Sequence, residues 1–151
     1  MKQLKVTPIK NGTVIDHINS GSSLKVLKVL NLPEPKKSDA ITVTMNARGK
    51  NGLKDIVKIE NRELKQHEVN KIAVISPNAT INIIRDYNVI KKTKVQPPKE
   101  LIGIINCSNP TCITNTREPV ESRFIKVQDE PLRIRCYYCD RELDDLSEHM
   151  C

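Results

Sequence analysis

The chain has 151 residues, room for one ordinary domain or two small ones, with 38% hydrophobic residues, no Trp and a single Phe, Phe124. Its core must therefore rest on Ile, Val and Leu, which suit strands, and any half-length domain calls for a metal or disulfide to supplement burial. No apolar run nears the roughly 20 residues of a membrane span, and the N-terminus lacks the apolar stretch of a signal peptide, so the chain reads as soluble and cytoplasmic.

Residues 4–9 (LKVTPI) and 13–18 (TVIDHI) are short and β-branched and read as strand material around a turn at Asn11-Gly12. After the loop at 19–23, Leu24, Leu27 and Leu30 recur at helical spacing until Pro33 and Pro35 stop the segment. Residues 41–46 and 55–60 read as two strands of a hairpin around the turn-rich loop 47–52. Apolar residues at 64, 69, 72, 73 and 75 predict a second helix, ended by Ser76-Pro77, and 80–84 and 87–90 read as strand material with a bend at Arg85-Asp86. From residue 13 the order is β-α-β-β-α-β, which predicts an α+β, ferredoxin-like antiparallel sheet with two helices on one face.

Residues 91–100 (KKTKVQPPKE) are charged, contain a Pro pair and read as an extended linker. The expected division is a first domain over 1–96, a linker over 97–101 and a small all-β domain over 102–151. Charge follows the same division: residues 1–96 carry 18 Lys/Arg against 8 Asp/Glu, and residues 97–151 carry 7 against 10. A basic excess of this kind attracts polyphosphates, nucleic acid or acidic partners without choosing among them, and a solvated lysine surface would produce it as well.

All five cysteines lie in the second part. Cys107 and Cys112 enclose four residues, Cys136 and Cys139 enclose two, and 23 residues separate the pairs. Two such turns close a tetrahedral thiolate sphere around one zinc ion, with no position left open, so the site is structural. Two disulfides, a dithiol redox pair and iron in the same cage are the competing readings; compartment opposes the first and the missing βαβ context the second. Cys151 is left over as a spare thiol.

In the first part, Lys58 and Lys92, with Lys54 nearby, are candidate phosphate ligands. Asp16 and His17 sit at a strand end and can hydrogen-bond a ribose or base; Asn82 offers an amide and Tyr87 a ring and hydroxyl. Lone pairs and strand lysines of these kinds are more often structural or solvated. Gly49-Lys50 lacks the flanking residues of a phosphate-binding Gly-rich loop, and no dinucleotide fingerprint is present.

The segments KNGTVIDH (10–17), KDIVKIEN (54–61) and SPNATIN (76–82), followed by the Cys-x4-Cys and Cys-x2-Cys pairs, resemble the regulatory chain of aspartate carbamoyltransferase over essentially the whole length. The resemblance implies a non-catalytic subunit of pyrimidine biosynthesis, whose N-terminal domain binds nucleoside triphosphates such as CTP, UTP and ATP. Its zinc domain would dock on the catalytic chain, and its own chains would pair as a homodimer. By motif, it places Val6, Ile9, Asp16, His17, Lys58, Asn82, Ile84, Tyr87, Val89 and Lys92 around the nucleotide. Lys58 and Lys92 would meet the triphosphate, Asp16 the ribose, and Asn82 and Tyr87 the base, while Lys54 and the N-terminal residues would serve a neighbouring second nucleotide. Gln3 stands where a basic residue is expected in that second site. Asn109 and Asp140 match positions facing the catalytic chain; Thr111 departs from the amide expected there.

The alternative is a zinc-ribbon nucleic-acid-binding protein, which a pI near 9.2 invites. The acidic balance of 97–151 and the scarcity of aromatic stacking platforms oppose it. No nucleophile–base pair, paired acids or open metal site suggests an enzyme acting alone.

Overall fold

The computed structural model describes residues 8–32, 39–50, 52–117, 120–129, 131–143 and 146–150. The chain divides into two units, Met1–Val95 and Gln96–Cys151.

The first unit runs β1 (Gly12–Asn19), α1 (Ser23–Val29), β2 (Ile41–Gly49), β3 (Gly52–Glu60), α2 (Gln66–Ile75), β4 (Thr80–Arg85) and β5 (Asn88–Lys94). The sheet order is β2-β3-β1-β4-β5, every pair antiparallel. Strands β1 to β4 with their two helices make the expected split pattern, and β5 adds a fifth strand beside β4. Alternation, with one irregularity in β1, places Ile15, Ile18, Val57, Ile59 and Ile81 on one sheet face, where they pack with Val26 of α1, Leu30 just after it, and Ile72 and Ala73 of α2. Each such aliphatic side chain contributes about 1.5–3 kcal/mol by burial.

Three expectations shift. The lysine-rich run 91–94, read as linker, is the second half of β5; its seven residues are all exposed, and edge strands carry lysines of this kind to discourage pairing with other chains. Val95 then closes the core at 2% exposure. The leucine stripe holds only in part: Leu30 is buried and Leu27 packs against the core, but Leu24 is 61% exposed, and Ser23 and Val26 are the buried positions within α1. The strand expected over 4–9 falls mostly outside the described residues; Pro8, Ile9 and Lys10 are not in a strand, although Ile9 is buried.

Two bulges shape the end of the sheet formed by the end of β1 and the start of β3. Between Ile15 and Ile18 the pairing with β3 shifts, so Asp16 and His17 together oppose one residue and Ile18 returns to the core. A second shift separates Thr44 from Ala47 in β2, where Asn46 has φ +58°. Fully buried Asp55 ties both regions together. Its Oδ2 accepts the N–H groups of Gly21 and Ser23 at 3.0 and 3.1 Å, and its Oδ1 accepts the N–H of Asn46 at 3.0 Å. Burial pushes its carboxyl pKa up, but the donors from Asn46, Ser23 and Gly21 outweigh that and hold it below the ordinary value.

The second unit is a four-stranded antiparallel sheet, β6 (Glu100–Ile102), β7 (Arg123–Gln128), β8 (Arg133–Cys136) and β9 (Glu142–Leu143), in chain order. Glu100 and Leu101, within the span read as linker, thus pair with β7 together with Ile102. Phe124 has no exposure and lies opposite both Leu101 and Cys136. Ile105, Ile134 and Leu143 complete a small apolar centre. Among the described residues, no helix is long and apolar enough to cross a membrane.

Candidate metal centre and candidate ligand face

Cys107 and Cys112 lie on the loop between β6 and β7, Cys136 ends β8, and Cys139 sits in the β8–β9 turn. That turn is closed by the Asp140 N–H donating to the Cys136 carbonyl at 2.9 Å, with Asp140 at φ +62°. The four-residue loop between Cys107 and Cys112 is longer and needs more holding. Asn115 supplies it, its Nδ2 donating to the carbonyls of Cys107 and Asn109 at 2.8 and 2.7 Å. Asn109 Oδ1 accepts the Thr111 N–H and hydroxyl at 3.1 and 2.9 Å.

The four sulfurs lie within 4.8 Å of one another. Cys107–Cys139 and Cys112–Cys136 are 3.6 and 3.7 Å apart. A tetrahedron of Zn–S bonds about 2.3 Å long has edges of about 3.8 Å, so the cage already has the size zinc requires. The protonation chemistry agrees. Burial pushes the Cys107 thiol up to about 12 and raises Cys136 as well. Cys139 goes the other way, to about 7: burial opposes the shift, but the Arg141 N–H, the Asn109 side chain and the neighbouring thiols overcome it. The Cys139 thiolate can therefore form readily, and a cation is needed to stabilise those of Cys107 and Cys136. These four residues hold one structural zinc ion.

The other candidate residues lie in the first unit, on the sheet face turned away from the helices. The ladder aligns Lys58, Val14, Asn82 and Lys92 in one row across β3, β1, β4 and β5. With neighbouring strands about 4.8 Å apart, the two lysines stand about 14 Å apart at the backbone, with Val14 and Asn82 forming the floor between them. Asn82 Nδ2 donates to the Val14 carbonyl at 3.2 Å. Burial depresses the Lys58 pKa, a cost that an anion beside it would offset. Ile84 is opposite Val89 on the same face, because a bulge in the β4–β5 pairing brings residues 89 and 92 into phase.

One step along β1, Asp16 pairs with Thr80. Lys54 Nζ approaches Asp16 Oδ1 to 2.9 Å, and His17 Nδ1 is 3.2 Å from Thr80 Oγ1. Burial raises the Asp16 pKa; the bond from Lys54, the His17 backbone N–H and the electrostatic attraction of the neighbouring His17 and Lys54 side chains bring it below the ordinary value. Tyr87 stands apart in the β4–β5 turn, 64% exposed at φ +67°, its N–H donating to the Lys10 carbonyl. Val6 lies outside the described residues. Asp140 is exposed, 3.6 Å from Arg135 Nε, and Asn109 is bound into its loop as above.

Sequence reasoning missed Lys94, Arg48 and Lys50. With His17 and Lys54 they line an open depression of about 910 Å³ whose described lining includes no Asp or Glu. Lys94 was findable, because it follows Lys92 by two residues and a strand puts both on one face. Arg48 and Lys50 enter through the β2–β3 hairpin, which brings residues near 50 back beside Lys54.

A metal-stapled all-β unit with no open coordination position, joined to a split-βαβ unit with a cationic open face, defines a two-unit metal-binding protein whose metal is structural. Comparison with known proteins makes this specific. Residues 4–96 match the family model described as aspartate carbamoyltransferase regulatory chain, allosteric domain, and residues 99–147 match the metal binding domain of the same chain. The regulatory chain of Methanothermobacter thermautotrophicus is 54% identical over 148 residues, covering 96% of this chain and 94% of the relative. That of Pyrococcus abyssi is 50% identical over 146 residues, covering 96% and 95%. That of Methanococcoides burtonii is 49% identical over 152 residues, covering 99% and 95%. The chain belongs to the family of aspartate carbamoyltransferase regulatory chains and is a non-catalytic subunit.

Proposed function

We propose that residues 1–96 bind nucleoside triphosphate effectors, among them CTP, UTP and ATP, on the open sheet face, and that residues 102–151 dock on the catalytic chain of aspartate carbamoyltransferase. The observation that carries the nucleotide reading is the cross-strand row Lys58–Val14–Asn82–Lys92. Two cations flank an apolar and amide floor, and Asp16 next to the row offers a carboxylate acceptor for ribose hydroxyls. The base would lie toward Ile84, Val89 and Tyr87, with Ile9 closing that end; Val6, which the family resemblance adds to the site, lies outside the described residues. The phosphates would extend toward Lys54, Lys94 and His17, where a second nucleotide could share the same cations.

Asn109 and Asp140, beside the metal ligands, are assigned to the catalytic-chain contact, and zinc keeps the loops that carry them in shape. Two regulatory chains would pair through the outer edge of β2, whose residues 41–47 carry no charge, in contrast to the lysine-bearing edge of β5. The setting is the cytoplasm, where four free thiols persist and their zinc is retained. Allostery is then a difference in nucleotide affinity between two states of the assembly.

The test is co-purification with a catalytic chain, followed by carbamoyl-aspartate synthesis assayed with and without each triphosphate. Association, together with a triphosphate-dependent change in activity that Lys58→Ala abolishes, is the expected result. Tight, salt-steep binding to DNA or RNA with no response to any triphosphate would replace this reading with the nucleic-acid one.

A further inference from the structure

The Cys112 sulfur has a donor that the zinc ligand pattern does not include. Thr114 Oγ1 donates to Cys112 Sγ at 3.2 Å from within the short 3-10 turn Ile113–Asn115 that follows the ligand. The neighbouring side chains spend their donors on backbone: Asn115 on the carbonyls of Cys107 and Asn109, and Thr116 on the carbonyl of Ile113. Thr114 is partly buried against the site, so its hydroxyl competes with little water.

We propose that Thr114 is a positioning residue for the metal: its hydroxyl withdraws charge from the Cys112 thiolate and protects that Zn–S bond against protons and soft electrophiles. Four thiolates around Zn²⁺ leave a net charge of about −2, and hydrogen bonds to sulfur are the means available to spread it. A thiolate that accepts such a bond is a weaker nucleophile, and thiolate rather than thiol is the form that reagents attack. The hydroxyl has the right polarity for this role, since a metal-bound thiolate has no proton to donate and can only accept. The proposal rests on the tetrathiolate site and is independent of nucleotide binding.

The experiment uses the full chain as Thr114→Val, Thr114→Ser and Thr116→Val variants, each loaded with zinc or with cobalt(II). Zinc release by a mercurial should be about 10-fold faster in Thr114→Val, the lower end of the usual effect of losing such a partner. Its sulfur-to-cobalt charge-transfer band should move to longer wavelength, because a thiolate stripped of its hydrogen bond gives up an electron more easily. Thr114→Ser should restore both values, and Thr116→Val, whose hydroxyl serves a backbone carbonyl, should leave both unchanged. An unshifted band and release rate in Thr114→Val would overturn the proposal. So would a Thr114→Ser variant that behaves like Thr114→Val, since the methyl group rather than the hydroxyl would then be responsible. Should Thr114→Val fail to fold, the cadmium-113 form of the unaltered chain decides. A scalar coupling between the metal and the Thr114 hydroxyl proton is expected, and a resolved hydroxyl proton without coupling would refute the bond.

Discussion

Asp55→Asn tests the architecture of the first unit with the smallest available change. The carboxylate accepts three backbone N–H groups from two separate segments, at 3.0, 3.1 and 3.0 Å, with no exposure to water. An asparagine keeps one oxygen. It can serve either Asn46 or the Gly21–Ser23 pair, and its NH2 group must face the N–H left over. The loss is at least one charge-assisted bond, about 1.5–3 kcal/mol, plus part of the cost of a buried donor without an acceptor. We expect about 2–4 kcal/mol. For a unit of this size that lowers the Tm of the first transition by roughly 10–25 °C, and a zinc-dependent second transition should not move. The pH dependence supplies an independent check. The Asp55 pKa is lowered in the folded protein, so its stabilisation is fully present above the unfolded value of about 3.9 and is lost as pH falls through the folded value. The gap between the native chain and the variant should therefore be constant near neutral pH and close below about pH 4. Scanning calorimetry at several pH values measures both quantities. A Tm change under about 3 °C, or a gap as wide in acid as at neutrality, would refute the assignment of Asp55 as the tie between the loop after β1 and the β2 bulge.

Two further outcomes follow from placing the metal site in the second unit and the proposed nucleotide site in the first. Chelation or a mercurial should unfold Gln96–Cys151 and abolish association with the catalytic chain, while triphosphate binding to Met1–Val95, measured by calorimetric titration, persists; loss of both together would contradict the division. Lys92→Ala, at an exposed edge-strand position, should change stability by less than about 0.5 kcal/mol and yet weaken triphosphate binding about tenfold, with a shallower salt dependence. Unaltered affinity would remove Lys92 from the site.

Much of the fold was legible because alternation and β-branching are local signals. The 41–46 and 55–60 strands, the 64–75 helix and the two cysteine turns could be read without knowing what they pack against. The misses have a common cause, which is that composition does not report tertiary position. Residues 91–94 look like a linker because an exposed edge strand and a linker are both polar and lysine-rich. Leu24 looks buried because three leucines recur at helical spacing, yet only Leu27 and Leu30 of the three reach the core, and Val26 takes the buried position of the first turn. The metal ligands were fully readable from spacing. The open face was readable only in part: Lys58, Asn82 and Lys92 were singled out separately, and the register that joins them depends on which strands are neighbours. Asp55 gave no signal, since a buried acid and a surface acid look alike in sequence.

The bulge at Asp16–His17 leads to the least intuitive expectation. Deleting one residue from a central strand ordinarily turns every following side chain to the wrong face. Here β1 carries two residues, Asp16 and His17, where β3 carries one, so deleting His17 leaves a regular ladder. Ile15 stays opposite Val57, Ile18 stays opposite Asp55 in the core, and Asp16 keeps its place beside Thr80. The deletion also removes a non-glycine residue at φ +57°, a conformation that costs on the order of 1 kcal/mol or more. The variant should fold with a Tm within about 10 °C of the native chain and bind triphosphate more weakly, through loss of the imidazole beside Thr80 and Lys54. Deleting Val14, where the ladder has no spare residue, should abolish folding of the first unit. If the two deletions were equally ruinous, the extra residue would be holding the sheet together. If the His17 deletion alone is tolerated, the bulge serves to present two consecutive polar side chains, Asp16 and His17, at the open face of a strand whose next residue must return to the core.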